Sequence, residues 1–265
     1  YEIEKNKIEK NKIKIFYLGQ SGYVLKTKES IIYIDPYLSD YIQNPKGLND
    51  DYMTRSYSSP INPKKIQKCN AIICTHSHVD HMDPWTIKKI NTDFILYCSL
   101  GAYSKSIVEK NPSNLIFLKP KESVKIKKLI IQPLSAAHYN IKDEYGRPDC
   151  LSLIIKFNKI NLFFWGDGII YDGQIDLLSN IKFDYFFAPI NGRDVFREKK
   201  GIIGNLNEEE LAKICSKINI DCVIPNHYDM FDNNTGSTKK FMEEINKKCP
   251  KQNIKILKCG ESIEA

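Results

Sequence analysis

Histidine is the residue type whose placement in this chain is most informative about chemistry. The chain has five histidines among 265 residues, and they occur at only three places. Three lie in the run His76-Ser77-His78-Val79-Asp80-His81, and the other two are His138 and His227. Imidazole is the commonest side-chain ligand of transition metals. A histidine set this concentrated, with an aspartate inside its run, predicts a centre for divalent metal ions.

The spacing within the run indicates how two ions would be held. The apolar residues 71–74 precede it and are typical of a buried strand. If the chain stays extended beyond that strand, His76 and His78 project to the same side and can hold one ion together. Asp80 and His81 follow where the chain turns, and from there they can reach a second ion.

Three more candidate ligands follow predicted strands further along the chain: His138, Asp167 and His227. In a layered α/β fold the loops at strand ends converge on one rim, so ligands distant in sequence can meet there. Asp167 stands between Gly166 and Gly168, and these glycines let the backbone approach closely. Because a carboxylate can bridge two cations, we predict that Asp167 bridges the two ions.

Apolar periodicity and helix-capping residues predict the elements that would position these ligands. We predict strands at 13–18, 22–27, 31–34, 71–75, 94–98, 115–118, 124–126, 129–134, 151–157, 160–165, 184–189, 222–226 and 254–258. We predict helices at 85–91, 100–110, 173–179, 208–217 and 238–248. Ser99, Asn207 and Ser237 are expected to cap three of these helices.

Residues 38–68 resist assignment, because they show no sustained periodicity and carry tyrosines spaced along them at Tyr41, Tyr52 and Tyr57. A long loop without structure inside a compact domain is usually functional or an interaction element. We expect the segment to cap the mouth of the active site or to join a contact between subunits. The alternative is a tyrosine-rich loop that packs flat on its own domain.

The order His-x-His-x-Asp-His, lone His, Gly-Asp and lone His resembles the metallo-β-lactamase superfamily. The opening Leu18-Gly19-Gln20-Ser21-Gly22 and Ile34-Asp35-Pro36 resemble it as well, so the likeness covers nearly the whole chain. It implies a four-layer αββα sandwich that forms a single domain over residues 1–265, with 38–68 as a long loop or cap insertion. It also implies a first site of His76, His78 and His138 and a second of Asp80, His81 and His227, bridged by Asp167.

Such a pair of sites predicts metal-dependent hydrolysis. Two ions about 3.5–4 Å apart can hold a bridging water and lower its pKa towards neutrality. The resulting hydroxide would attack an ester, lactone or phosphodiester, and Asp80 could accept or shuttle the proton. Since nitrogen and oxygen supply every predicted ligand, Zn²⁺, Mn²⁺ and Fe²⁺ are all compatible. The resemblance associates zinc with the superfamily at large.

A narrower likeness, to the L-ascorbate-6-phosphate lactonase branch, rests on residues 166–168, on Ala188-Pro189-Ile190-Asn191-Gly192-Arg193-Asp194 and on residues 223–231. It implies a small anionic substrate, with a sugar-phosphate lactone as the specific expectation. It also implies manganese, and a homo-oligomer. The alternatives are a phosphodiesterase or nuclease of the same fold and a non-catalytic metal-binding protein.

Four residues near the predicted ligands are candidates for supporting roles. Arg193 would suit a bidentate contact with an anionic substrate, or it is a solvated surface charge. Tyr139 and Asn226 flank metal ligands and are candidates for substrate binding. Asp35 is expected to buttress the metal-binding loop from behind, and the alternative is a simple turn at Asp35-Pro36.

Composition limits the partners and the compartment. The net charge is +7, but the lysines are spread evenly and form no basic stripe with interleaved aromatics, so we expect no nucleic-acid partner. No stretch approaches the roughly 18 apolar residues that a membrane span needs, and the charged N-terminus does not resemble a signal peptide. The eight cysteines form no Cys-x-x-Cys pair, which favours free thiols in a reducing cytoplasm.

Overall fold

The computed structural model describes residues 2–43, 53–108 and 114–265. Within these ranges the strands are β1 (Lys14–Gly19), β2 (Gly22–Lys26), β3 (Ile31–Ile34), β4 (Ala71–Ile73), β5 (Ile95–Cys98), β6 (Leu115–Phe117), β7 (Val124–Ile126), β8 (Leu129–Ala136), β9 (Cys150–Phe157), β10 (Ile160–Phe164), β11 (Phe183–Pro189), β12 (Ile220–Asn226), β13 (Asn253–Ile254) and β14 (Ser262–Glu264). The helices are α1 (Glu2–Lys5), α2 (Pro84–Lys89), α3 (Leu100–Lys105), α4 (Gln174–Ser179), α5 (Val195–Lys199), α6 (Glu208–Cys215) and α7 (Thr238–Lys248). A 3-10 turn at Pro63–Lys65 lies in the long segment before β4.

The strands form two mixed sheets. The first has the order β14-β1-β2-β3-β4-β5-β6, and the second has the order β13-β12-β11-β10-β9-β8-β7. In the first sheet the pairs β3–β4, β4–β5 and β5–β6 are parallel, whereas the pairs β14–β1, β1–β2 and β2–β3 are antiparallel. In the second, β10 to β13 are parallel and β7 to β10 are antiparallel.

Three apolar clusters show how the sheets and helices are layered. The first cluster fills the space between the sheets and joins residues such as Ile73 of β4 to Leu153 of β9. A second joins the outer face of the first sheet to α2 and α3, and a third joins the outer face of the second sheet to α4, α6 and α7. A sheet buried on both faces has to be apolar on both, as the fully buried residues of β2 illustrate. The predicted αββα sandwich is confirmed.

Helix capping is also confirmed at the three predicted positions. The side chains of Ser99 and Ser237 accept hydrogen bonds from the third backbone N–H of α3 and of α7. Asn207 and Glu210 form a reciprocal capping box at the start of α6. Each of these bonds satisfies a backbone donor that a helix N-terminus leaves unpaired.

Several element boundaries differ from the prediction. The strand expected at 71–75 ends at Ile73, the helix expected at 100–110 ends at Lys105, and the strand expected at 254–258 is only Asn253–Ile254. The short elements α1, α5 and β14 were not predicted, because three to five residues are too few to show a period. Among the described residues, no helix is both long and apolar enough to cross a membrane.

Candidate metal centre

The histidine run forms a bent loop after β4 rather than an extension of that strand. The backbone turns within the run, since the N–H groups of His81 and Met82 both donate to the carbonyl of His78, at 2.9 and 2.7 Å. This turn lies where the sequence predicts that the chain changes direction, at Asp80 and His81. The backbone already bends at residues 75–78, so the expectation that an extended backbone aligns His76 and His78 is wrong. Their rings are nevertheless neighbours, with centroids 4.6 Å apart and nearly perpendicular planes.

A first ligand group consists of His76, His78 and His138. Their ligand atoms all lie within 4.8 Å of one another. His138 arrives from the loop directly after β8, and its Nε2 lies 3.3 Å from Nδ1 of His78. The structure thus brings together three imidazoles from two loops, which is the coordination that one transition-metal ion would use.

A second ligand group consists of Asp80, His81 and His227, whose ligand atoms also lie within 4.8 Å of one another. Asp80 Oδ2 is 3.7 Å from Nε2 of His81 and 3.4 Å from Nε2 of His227. His227 follows the end of β12 and has a left-handed backbone with φ of 56°. Because that conformation is uncommon for a non-glycine residue, the surrounding contacts must hold it in place.

Asp167 lies between the two groups. Its Oδ2 is 3.3 Å from Nε2 of both His81 and His227, and it also forms a cluster with His76 and His81. The glycines beside it are required by space, because a Cβ on Gly166 would lie 2.8 Å from the carbonyl oxygen of Leu151. A Cβ on Gly168 would lie 2.5 Å from that of Ala137. The glycines therefore let the backbone of this loop pack closely against its neighbours, so that the carboxylate of Asp167 reaches both ligand groups.

The donor chemistry of this cluster fits divalent metal ions. Within the described part of the chain, Nε2 of His76 and Oδ1 of Asp167 are buried and make no hydrogen bond. Buried polar atoms are normally satisfied, and an unsatisfied one requires an explanation such as a missing ion. Seven nitrogen and oxygen ligands, with two carboxylates among five imidazoles, suit two such ions.

The histidines of the two ligand groups differ in the direction of their pKa shifts. Burial lowers the pKa of His76 and His78 and lowers that of His138 to about 4, so these rings are neutral. Burial also acts on His81 and His227, but the neighbouring carboxylates outweigh it and raise the pKa of His227 to about 9. The first group is therefore already in the form that binds metal, whereas the second holds protons that a metal must displace.

Asp35 lies behind the centre, as the sequence predicts. Its buried carboxylate accepts hydrogen bonds from the backbone N–H and the hydroxyl of Thr75, both at 2.7 Å. It also lies 2.8 Å from Nδ1 of His81. This contact fixes Nδ1 as the protonated nitrogen and turns Nε2 towards Asp80 and Asp167, which is the usual role of a carboxylate behind a metal-binding histidine.

Two side-chain amides that the sequence did not predict contact the ligand cluster. Gln20 donates from Nε2 to Asp80 Oδ2 at 2.8 Å, and Asn205 donates from Nδ2 to Asp167 Oδ2 at 2.9 Å. Gln20 stands in a motif that carries the family likeness, Gly19-Gln20-Ser21-Gly22, so a signal was present. Asn205 has no comparable signal, because asparagine is abundant in this chain.

The three predicted substrate-binding residues have different surroundings. Arg193 pairs with Glu210 through both terminal nitrogens, at 2.8 and 2.6 Å, so an anion would have to share or displace that carboxylate. Tyr139 is 40% exposed beside His138, and its hydroxyl donates to Glu198 of α5. Asn226 is buried, and it donates to the hydroxyl of Tyr23 at 3.3 Å in the core between the sheets.

One described part of the 38–68 segment packs near the second ligand group: Tyr57 donates to Asp229 Oδ1 at 2.9 Å, two residues after His227. Other parts of the segment have different neighbours. Tyr41 contacts the ring of Trp85, and the backbone of residues 67 and 68 donates to Glu4. Tyr52 lies outside the described residues.

Comparison with known proteins agrees with this fold. The family described as "Beta-lactamase superfamily domain" matches residues 14–227. A UPF0173 metal-dependent hydrolase of Aeropyrum pernix is 25% identical over 279 residues, covering 95% of this chain and 97% of its own.

Two solved structures have a similar fold. The metallo-β-lactamase fold protein YhfI from Bacillus subtilis superposes with a TM-score of 0.69 at 15% identity, covering 97% of this chain and 100% of its own. A possible metal-dependent hydrolase from Veillonella parvula superposes with a TM-score of 0.71 at 14% identity, covering 94% and 98%. At these identities the likeness concerns the fold alone.

Proposed function

The chain belongs to the beta-lactamase superfamily, and on that premise we propose that it is a metal-dependent hydrolase with a two-metal site. The observation that carries the proposal is the convergence of His76, His78, Asp80, His81, His138, Asp167 and His227 on one buried cluster. The name of the Aeropyrum pernix relative, a metal-dependent hydrolase, supports it.

Two divalent ions would supply, when bound, an acidified water and positive charge at the leaving oxygen. His76, His78 and His138 would hold one ion, Asp80, His81 and His227 the other, and Asp167 would contact both. The chain's own contribution is to keep these groups buried and oriented. Asp80 is only slightly exposed and lies at the solvent side of the cluster, so it is also placed to accept a proton from the attacking water.

We propose a small anionic ester or lactone as the substrate, with a sugar-phosphate lactone such as L-ascorbate 6-phosphate as the specific candidate. The motif from Ala188 to Asp194 supports this choice, because it resembles the corresponding lactonase branch. Tyr139, exposed beside His138, is available to contact the substrate. Zn²⁺ and Mn²⁺ are the metals proposed, since every candidate ligand is a nitrogen or an oxygen.

The eight cysteines, all described, are all free, and five of them are buried. Free thiols persist in reducing compartments, so a cytoplasmic location is part of the proposal.

The test combines metal content with hydrolysis of a matched substrate panel. We expect close to two equivalents of metal per chain, turnover of sugar-phosphate lactones, and loss of turnover in Asp80→Ala, which removes the proposed proton acceptor and one proposed ligand of the second ion. Turnover of a phosphodiester instead would keep the site and change the substrate class. Fewer than two equivalents after Zn²⁺ and Mn²⁺ are supplied, with no turnover of any ester, would refute the two-metal hydrolase.

A further inference from the structure

Residues 53–57, in the middle of the 38–68 segment that precedes β4, are hydrogen-bonded to the loop that follows His227. The backbone N–H of Ser56 donates to the carbonyl of Met230 at 2.8 Å, and its hydroxyl donates to Asp232 at 2.8 Å. Arg55 pairs with Phe231 in an isolated antiparallel bridge. The segment therefore holds the 229–232 loop by backbone and side-chain contacts together.

Tyr57 extends this attachment to a second loop. Its hydroxyl donates to Asp229 Oδ1 at 2.9 Å, and its ring packs against Gly19, the residue before Gln20. The approach is so close that a Cβ on Gly19 would lie 2.7 Å from the hydroxyl oxygen. Glycine at this position, with φ of 89°, is what allows Tyr57 to sit between the two loops.

Gln20 in turn contacts two members of the second ligand group. Its Nε2 lies 2.8 Å from Oδ2 of Asp80 and 3.0 Å from Nε2 of His227. Its carbonyl accepts the backbone N–H of His227 at 2.9 Å and the hydroxyl of Tyr17 at 2.9 Å. Gln20 and His227 both have a left-handed backbone, with φ of 55° and 56°, so each depends on such contacts to stay in place.

We propose that Tyr57 and Gln20 are positioning residues for the second ligand group, and that through Tyr57 residues 53–57 control the affinity of that group for its ion. Gln20 aligns Asp80 and His227 directly. Tyr57 acts through Asp229 and through the backbone at Gly19, which carries Gln20. The inference rests on the proposed function, because it requires this group to bind a metal ion.

The effect is expected to be confined to one of the two groups. His76 of the first group is contacted by the hydroxyl of Thr75, 3.1 Å from its Nδ1. The described side-chain contacts of His78 and His138 are with each other and with neighbouring rings. None of the described hydrogen bonds of Gln20 or Tyr57 involves a member of the first group. Loosening Gln20 or Tyr57 should therefore leave the first metal equivalent unchanged.

The experiment is calorimetric titration of the metal-free full chain with Zn²⁺ and with Mn²⁺. The variants are Gln20→Asn, which tolerates the left-handed backbone but shortens the amide's reach, and Tyr57→Phe, which removes only the hydroxyl. Tyr41→Phe is the matched control, because it makes the same change in the same segment against Trp85. We expect the second equivalent to bind roughly 10–100-fold more weakly in both test variants, a range typical for groups that orient metal ligands.

The outcomes separate this inference from the proposed function. If wild type binds two ions and both test variants bind the second as wild type does, the positioning role is refuted while the two-metal site stands. If both equivalents weaken together with a lower unfolding temperature, the residues are merely structural and the inference is also refuted. If wild type itself binds fewer than two ions, the proposed function fails first. Selective weakening of one equivalent, absent in Tyr41→Phe, supports the inference.

Discussion

Replacing Asp35 by asparagine tests how the candidate centre depends on the carboxylate behind it. Asp35 has to accept three hydrogen bonds, two from Thr75 and one from Nδ1 of His81, at 2.7 to 2.8 Å. An asparagine has only one acceptor oxygen, and its amide NH₂ would face at least one of these donors. The substitution keeps the size of the side chain, so the loss measures hydrogen bonding and charge rather than packing.

The magnitude follows from the bonds that are lost. One lost charge-assisted hydrogen bond costs about 1.5–3 kcal/mol, and one buried donor facing another donor costs about 1–3 kcal/mol more. Burial raises the pKa of Asp35, which shows that its charge is itself costly, and removing that charge recovers part of the loss. We expect a net loss of about 2–4 kcal/mol in the free energy of unfolding. For a chain of this size that lowers the unfolding temperature by roughly 5–15 °C.

The assay pairs thermal unfolding of the metal-free chain with metal titration. Because His81 loses the partner that orients its ring, metal affinity of the second group should fall roughly 10–100-fold. Asp83→Asn is the control: Asp83 is equally buried and accepts from Ser39 and Trp85, but none of its described bonds involves a ligand. It should lose comparable stability and keep wild-type affinity. An Asp35→Asn variant with unchanged unfolding temperature and affinity, or an equal loss of affinity in Asp83→Asn, would refute the reasoning.

Three further predictions follow from the same geometry. Asn205→Ala removes the donor to Asp167 and should weaken total metal binding about tenfold, measured by titration; unchanged binding would contradict a role for the amide. Gly168→Ala forces a Cβ to within 2.5 Å of the carbonyl of Ala137, so it should lower the unfolding temperature more than Gly173→Ala, which meets no atom within 4 Å. In the metal-free chain the pKa of His227 is about 9, so below that pH its ring is protonated. Metal uptake near pH 7 should then release protons and strengthen as pH rises, whereas heats that do not vary with the buffer's ionisation enthalpy would count against it.

The fold was largely predictable because its main elements are long or strongly patterned. α7, with eleven residues, matches its predicted range of 238–248. Failures occur at element ends and in short elements, and one of them lies at the site. The strand predicted to reach residue 75 ends at Ile73, and the N–H of Thr75 donates to the side chain of Asp35 instead of to a neighbouring strand. α5 has a good capping residue in Asp194, but no buried residue along it, so no apolar period marks it.

The predicted ligands converge in the structure, whereas most of the groups that hold them were not foreseen, and the reason is chemical. Histidine is rare in this chain, so its positions carry information before any fold is known. Asparagine and glutamine are common in this chain. Whether one of them contacts a predicted ligand depends on which distant loops meet in the fold. Gln20 is 60 residues from Asp80, and 207 residues from His227.

Arg193 illustrates the same limit from the opposite direction. The sequence left it open as an anion binder or a solvated surface charge. In the structure its guanidinium forms a bidentate pair with Glu210, which is also the third residue of helix α6 and part of its capping box. A substrate anion at Arg193 would compete with the carboxylate of Glu210, which is already in bidentate geometry. If the anion displaced that carboxylate, α6 would lose the contact between its first turn and Arg193. Motif chemistry therefore identifies what a side chain is able to bind. Which partner it does bind depends on the nearest competing charge within the fold, and that neighbour lies seventeen residues away in sequence.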